Sequence, residues 1–295
     1  MEIKENIELA KFTSFKIGGG ARFFVEVKNQ EDLIAALKFA KEKAVPFLIL
    51  GGGTNMLIRD AGFAGLVIRN QMKNIEMQDD LIVADTALVL PEINNFGYKQ
   101  GWVGFERLAT VPGTLGGALY NNAHHLGTLL SEFVQWVEIL DLSIPAEPQV
   151  KRIPTSEMQF EYDSSKIKIA GLIALRAALK LQKGDIAESK KNLIAMLKER
   201  SEHQPYGTFN SGCMFQNVPN GPGPGYRGTS AGWLIEQCGL KGAKIGEAVI
   251  SEKHGNFFVN SGKATSADIL KLVEMCQNKV KEKFGVNLEL EIKII

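Results

Sequence analysis

The chain is poor in the residues that build cross-links and metal sites. Of its 295 residues, 3 are cysteine and 4 are histidine. Cys213, Cys238 and Cys276 lie far apart and none forms a CxxC pair. That spacing argues against a disulfide-stapled scaffold and against a zinc knuckle. His124 and His125 are adjacent, but neighbours on a strand or helix point apart, and no further His/Cys cluster accompanies them, so no metal site is expected. Charge of one sign is missing too. The 34 Lys and Arg nearly balance the 33 Asp and Glu, for a net +1, which leaves no basic field for nucleic acid. Apolar runs stop at strand length, far short of the roughly 20 residues of a membrane-spanning helix. The opening Met1-Glu2-Ile3-Lys4-Glu5-Asn6 has no apolar signal core, and a reducing cytoplasm is the simplest expected compartment.

What is present is an ordinary globular composition, 45% hydrophobic and 23% charged, on a chain long enough for two domains. Residues 13–70 read as a small α/β unit. It has a strand at 23–27, a helix over 31–44 with Leu33, Ile34, Leu37 and Ala40 at helical spacing, and strands at 45–50 and 65–69. Residues 75–182 read as α+β, with short β-like runs at 81–84, 134–140, 172–175 and 178–181 and a helix near 90–100. A helix over 185–201, with Ile186, Leu193, Ile194 and Leu197 facing inward, opens a third segment. There Asn220-Gly221-Pro222-Gly223-Pro224-Gly225 reads as a flexible loop. Thr265 and Asp268 can form a capping box ahead of a face of Ile269, Leu272, Val273, Cys276 and Val280, with Gly285 as C-cap. The chain closes on a strand at 288–295.

Gly51-Gly52-Gly53-Thr54-Asn55 follows an apolar strand candidate. Glycines let amides converge at positive φ and let backbone approach a ligand, a geometry suited to a diphosphate. By itself the run reads equally well as a tight turn. It is no P-loop, because no Gly-Lys-Ser/Thr follows at the right spacing, and Met56 stands where the dinucleotide fingerprint needs a third glycine. A phosphate site therefore needs a second contributor. Pro112-Gly113-Thr114 with Gly116-Gly117 offers one, pairing glycines with a hydroxyl. Two such segments in one α+β region point to a large nucleotide cofactor.

Together these motifs resemble the UDP-N-acetylenolpyruvoylglucosamine reductase (MurB) family almost end to end. The resemblance runs through Thr13 to Gly19, Leu50 to Gly65, Val111 to Gly117, Asn122-Ala123, Gln204-Pro205, Ser211 to Asn217 and Ala231 to Glu236. It continues through Gly239 to Gly242, Ile250 to His254, Phe284 to Val286 and the final Leu-Glu-x-Glu strand. It implies an α+β fold. A two-subdomain FAD-binding region of the vanillyl-alcohol-oxidase (PCMH-like) kind would span 1–184, divided near residue 70. A C-terminal α/β domain for the UDP-sugar would span 185–295, its last strand at 286–295 returning toward the flavin. The implied activity is NADPH-dependent reduction of the enolpyruvyl sugar nucleotide in peptidoglycan precursor synthesis. Non-covalent FAD would be held by Gly51, Gly52, Gly53, Thr54, Asn55, Pro112, Gly113, Thr114, Gly116 and Gly117. The expected partners are the sugar nucleotide and NADPH, with no nucleic acid or membrane, in a monomer or weak oligomer.

The resemblance also assigns chemistry. Cys213 stands where the family has a proton-donating serine. A thiol, with a pKa near about 8.5, is mostly protonated at neutral pH and can donate; read alone, the residue also suits a buried structural cysteine. Glu291 matches the catalytic glutamate, although on an alternating strand it also suits an outward polar position. Tyr162, Gln216 and Asn217 fall at substrate-binding positions, Gln216 where the family often has a lysine. Two departures stand out. Asp163 replaces an arginine, so a cation becomes an acid, with Lys166 or Lys168 as candidates to compensate. His124-His125-Leu126 interrupts a glycine-containing run. A flavin-bound homologue with weak or lost reductase activity is the alternative that Asp163 favours.

Overall fold

The computed structural model describes residues 1–142, 148–226 and 228–295. They gather into two compact units, each made from separated stretches of chain. The first comprises Met1–Lys4, Phe24–Gly52 and Gly65–Leu197, and the second Glu5–Phe23, Gly53–Ala64 and Lys198–Ile295. Neither unit is a consecutive segment of chain.

In the first unit, the Asn29 side chain accepts from the Asp32 amide at 2.8 Å and starts a helix over Gln30–Glu42. Its buried residues are Leu33, Ala36, Leu37 and Ala40, the i, i+3, i+4, i+7 face of an amphipathic helix. The following strand, Phe47–Leu50, pairs in parallel with Leu66–Arg69. The larger sheet is antiparallel throughout. Its order is Gln149–Pro154, Val134–Asp141, Ile173–Leu179, Leu81–Asp85, Ile75–Gln78. The two runs expected at 172–175 and 178–181 are a single strand, Ile173–Leu179. No glycine or proline interrupts it, and its pairing with Val134–Asp141 shifts register twice, at Val134/Trp136 with the extra residue on that neighbour and at Glu138/Ile139 with the extra residue, Leu175, on the strand itself. One face of this sheet (Ile82, Ala84, Val137, Ile139, Ala177, Leu179) is buried with Ile93, Leu108 and Leu119 from the helices.

The helix Ile186–His203 departs from expectation. Ile194 is 68% exposed, and Leu193 and Leu197 are only half-buried. The helix docks instead through a polar residue. Ser189, its one buried residue, donates its hydroxyl to the Glu106 carboxylate and accepts from Tyr98 Oη at 3.0 Å. A periodic apolar face forecasts burial only where an apolar partner is supplied, and here the partner is a tyrosine and an acid.

In the second unit the helix Ser266–Phe284 follows its sequence signals residue by residue. Thr265 and Asp268 form the capping box and Gly285 closes it at φ 71°. Ile269, Leu272, Val273, Cys276 and Val280 are buried, and burial pushes the Cys276 thiol up to about 12, so it stays an inert packing group. Asp60 adds a cap from afar: its carboxylate accepts the Ser266 amide at 2.9 Å and hydroxyl at 2.8 Å. The Asn220–Gly225 loop is cross-tied rather than loose. Thr229 Oγ1 accepts from the Gly223 amide and donates to the Gly223 carbonyl, both at 2.9 Å. The strand expected over 288–295 shrinks to Lys293–Ile294, paired in parallel with Met56–Leu57. Before it, Leu290 makes only an isolated bridge with Phe215. Its neighbours there are loops, which cannot sustain a ladder.

Backbone approach decides the glycines of this unit. Gly53 has φ 63°, and a Cβ there would overlap the Phe12 carbonyl oxygen. Its own carbonyl accepts the Ser14 amide at 3.0 Å. The Gly53→Ala substitution therefore combines left-handed strain with a backbone collision and is expected to cost at least about 3 kcal/mol in denaturant unfolding. Gly207, at φ 75° with nothing within 4 Å of a Cβ, supplies the comparison: Gly207→Ala carries the strain alone and should cost about 1 kcal/mol. Equal losses at both positions would contradict the close-approach account.

Candidate active site

Gly51 and Thr114, of the Pro112–Gly117 segment, meet inside the first unit. A Cβ on Gly51 would lie 2.6 Å from Thr114 Oγ1, so only bare backbone can stand there. The local conformations differ from the two glycine nests expected. Of Gly51, Gly52 and Gly53, only Gly53 has a positive φ. Gly116 and Gly117 belong to the first turn of a helix, Leu115–Asn121, capped by Thr114. The amides of that turn are spent. Leu115 donates to the Leu88 carbonyl at 2.8 Å, Gly116 to the Thr86 carbonyl at 2.9 Å, and Gly117 to Thr114 Oγ1 at 3.4 Å. No hydrogen bond is made by the amides of Gly51, Gly52, Gly113 or Thr114 among the described residues. These four are the donors this wall can offer an anion. Proline and glycine at 112 and 113 set the bend that exposes them, with Gly113 at φ 127°.

A second cluster in the same unit surrounds Tyr162 and Asp163. His124 and His125 form a two-residue strand paired with Thr128–Leu129, and alternation sends them apart as expected. His125 Nδ1 lies 2.9 Å from Thr110 Oγ1. His124 Nδ1 lies 3.8 Å from Asp163 Oδ1, and its ring packs on Tyr162 at 4.9 Å between centroids. Burial raises the Asp163 carboxyl pKa, with His124 and Lys168 pulling the other way. Lys168 does reach Asp163, but its ammonium bonds the backbone carbonyl, at 2.8 Å, not the carboxylate.

The second unit brings together three motifs that the sequence holds far apart. The segment carrying Cys213 is clamped at Met214 and Phe215. Asn256 accepts the Phe215 amide at 2.9 Å through Oδ1, donates to its carbonyl at 2.7 Å through Nδ2, and accepts the Met214 amide at 2.8 Å on its own carbonyl. From the other side, the Glu291 amide donates to the Met214 carbonyl and the Gln216 amide to the Glu289 carbonyl, both at 2.9 Å. Asn55 closes the triangle, its Nδ2 donating to the Glu291 carbonyl at 3.3 Å while its carbonyl accepts the Lys293 amide at 3.1 Å. Cys213 and Glu291 thus sit on adjoining backbones. Met214 and Phe215 are fully buried, with Phe215 edge-on to Phe258 at 6.0 Å, so the clamp is anchored in the core.

Behind it, His254 Nδ1 accepts the Asn256 amide at 3.2 Å. Burial lowers the His254 pKa, and the Lys241 charge adds to this, so the imidazole is neutral and fit to accept. Asn217 is used within its own loop. It donates to the Tyr226 carbonyl at 2.9 Å and accepts the Ala231 amide at 3.3 Å.

Arg200 was not foreseen from sequence. Burial presses its pKa down while Cys213 and Tyr206 oppose that through their charge, and a guanidinium remains a cation regardless. Its Nε donates to Gln204 Oε1 at 2.7 Å. The signal was available one helical turn before Gln204-Pro205. Among the described residues no three His, Cys, Asp or Glu are grouped to hold a metal ion, and no helix is long and apolar enough to cross a membrane.

Known proteins sort this chain readily. Residues 21–143 match the model of an FAD binding domain, and residues 204–295 that of the UDP-N-acetylenolpyruvoylglucosamine reductase C-terminal domain. The fold expected from sequence, an FAD-binding region followed by a reductase-type C-terminal domain, is thereby borne out. The UDP-N-acetylenolpyruvoylglucosamine reductase of Caldanaerobacter subterraneus is 37% identical over 291 residues, covering 98% of this chain and 92% of its own. That of Clostridioides difficile is 36% identical, over 100% and 93%. The crystal structure of the Thermus caldophilus enzyme superimposes with a TM-score of 0.83 at 29% identity, covering 100% of this chain and 99% of the other. With identity of that order sustained over essentially the whole length of both chains, this protein belongs to the UDP-N-acetylenolpyruvoylglucosamine reductase family.

Proposed function

We propose that the chain reduces the enolpyruvyl ether of UDP-N-acetylglucosamine to UDP-N-acetylmuramate, using FAD and NADPH, for peptidoglycan precursor synthesis. The observation that carries this reading is the clamp that lays the segment carrying Cys213 against the one carrying Glu291 on a chain of this family. The residues present fit the cofactor. Gly51 presents bare backbone against Thr114, and the amides of Gly51, Gly52, Gly113 and Thr114 form the donor set for its diphosphate. Pro112, Gly116 and Gly117 shape that wall, and Gly53, Thr54 and Asn55 complete the proposed cofactor-binding set. When bound, FAD supplies the carriage of hydride from NADPH to the β-carbon of the enolpyruvyl double bond.

The protein supplies the proton and the charge balance. Cys213 donates its thiol proton to the α-carbon, leaving a thiolate beside the Arg200 cation. Glu291 faces the developing enolate charge on the carboxyl group, held to its task by the Met214 and Asn55 bonds to its backbone. Tyr162, Gln216 and Asn217 take the sugar nucleotide, Asn217 by fixing the loop that follows it. In this reading residues 1–184 serve the cofactor and residues 185–295 the sugar nucleotide, and the protein works in the cytoplasm as a monomer or weak oligomer.

Protein purified with FAD should lose its visible flavin absorption on adding NADPH anaerobically and recover it on adding the enolpyruvyl sugar nucleotide. A fully flavin-loaded preparation that never recovers would overturn the function. Cys213→Ala should leave the first of these steps intact and slow the second by about 100-fold or more, with Cys213→Ser restoring much of it. Asn256→Ala should cost about 2 kcal/mol of stability, because it strands a buried amide and carbonyl, and should slow the same second step. An Asn256→Ala protein of full stability and activity would show the clamp to be idle.

A further inference from the structure

The clamp on Met214 and Phe215 has a support of its own, the loop over residues 251–257. Ser251 and His254 each turn a side chain back on that loop. Ser251 Oγ accepts the Lys253 amide at 3.1 Å, and His254 Nδ1 accepts the Asn256 amide at 3.2 Å. Both bonds run from a side chain to the amide two residues on, the pattern of an Asx or ST turn. Backbone bonds close the loop, from the Phe257 amide to the His254 carbonyl at 3.0 Å and from the Ser251 amide to the Phe257 carbonyl at 2.8 Å. Asn256 is 2% exposed. His254 meets its amide, while its carbonyl and both side-chain polar atoms are spent on Met214 and Phe215. Cys213 itself bridges Phe257.

The imidazole is held between two neighbours. Its ring lies 4.9 Å from that of Phe257, centroid to centroid. Against it stands Gly232, in the helix Ala231–Gln237, where a Cβ would lie 2.9 Å from His254 Cε1. A ring nitrogen that accepts carries no proton, so the neutral imidazole holds its proton on Nε2. The charged groups facing it are Glu236 from that helix and Lys241 from the turn that follows, themselves paired at 3.4 Å. On the loop itself, Lys253 donates to the Ser201 carbonyl at 2.8 Å, and Glu252 lies against Gly242. Burial, aided by Lys241 and opposed by Glu236, places the His254 pKa below that of a free histidine.

We propose that His254 is the positioning residue of the Cys213 segment: its Nδ1 lone pair fixes Asn256, Asn256 fixes Met214 and Phe215, and a proton on Nδ1 releases all three. The proposal deepens the reductase reading and, for its effect on turnover, rests on it. A protonated Nδ1 points a second N–H at the Asn256 amide, which is too buried to turn to water. The amide loses its acceptor, and the bonds from Asn256 to the Cys213 segment lose their base. The sign follows from the lowered pKa. The stability that the neutral imidazole contributes is complete above the pKa of a free histidine and declines as pH falls below it. The clamp opens as pH falls through the lower, folded value, and the protonating half-reaction then slows by up to about tenfold per pH unit.

Amide hydrogen exchange at Met214 and Phe215, corrected for its intrinsic pH dependence and read by NMR on the FAD-loaded protein, tests the grip. Flavin recovery on adding the enolpyruvyl sugar nucleotide, after reduction by NADPH, tests its consequence. In the native protein protection and recovery should fall together on the acid side. His254→Phe, which keeps a ring but has no acceptor, should lose protection roughly 10- to 100-fold at every pH and slow recovery throughout. His254→Asn, whose Oδ1 can take the same amide at any pH, should rescue both and remove the acid-side fall in protection. The nitrogen NMR shifts of the native imidazole should show Nε2 protonated at neutral pH. An acid-side fall of equal size in His254→Asn, or a proton on Nδ1 at neutral pH, would overturn the positioning role even where His254→Phe fails to fold. Flavin that never recovers in the native protein would overturn the reductase reading instead, and protection at Met214 and Phe215 would still decide the grip.

Discussion

The chemistry of the second unit depends on how two residues of backbone are held. Met214 and Phe215 are gripped by Asn256 on one side and by the Glu289–Glu291 stretch on the other, with both side chains sunk in the core. A thiol and a carboxylate are flexible groups on short stems. Their useful precision comes from the backbone beneath them, and that backbone is fixed by satisfied buried hydrogen bonds, which are expensive to break. His254 extends the grip by one step, since a neutral imidazole can accept the Asn256 amide where an imidazolium could not. The first unit solves its problem differently. Its wall at Gly51 and Thr114 is made by excluding side chains, so that backbone amides are left open there.

What the sequence makes legible is what is locally determined. The last helix could be read from end to end because its cap, its face and its left-handed stop all lie within the helix or one residue of it. The helix at 186–203 was equally periodic and misread, because burial belongs to a pair of surfaces and the second surface was Tyr98 and Glu106. The terminal strand was misread for a similar reason: alternation is a property of one segment, but a ladder needs two. The glycines were correctly singled out and partly mistaken in kind. Gly51 is required for the space it leaves beside Thr114, and only Gly53 for its φ.

Asp163 shows the same limit more sharply. On the page of the sequence it is a lost cation, and His124-His125 is a separate interruption elsewhere. Sequence proximity nominated Lys166 and Lys168 as compensators. In space the two departures are one feature, a histidine and an acid side by side, and Lys168 serves the backbone of the turn instead. Substitutions that look like independent losses can be a single coupled change, and only their joint removal measures what they do together.

The interleaving of the units carries a consequence for how the chain reaches this state. Residues 5–23 and 53–64 belong to a unit whose remaining part begins at Lys198, and the Asn55 contact with Glu291 spans 236 residues. During synthesis those early stretches emerge long before their partners, and closing so large a loop is slow because its entropy must be lost before any contact rewards it. The first unit can largely gather as it is made. The second cannot be completed until the residues around 291–295 have arrived, so its assembly is the last event and the one most exposed to misfolding or to chaperone capture.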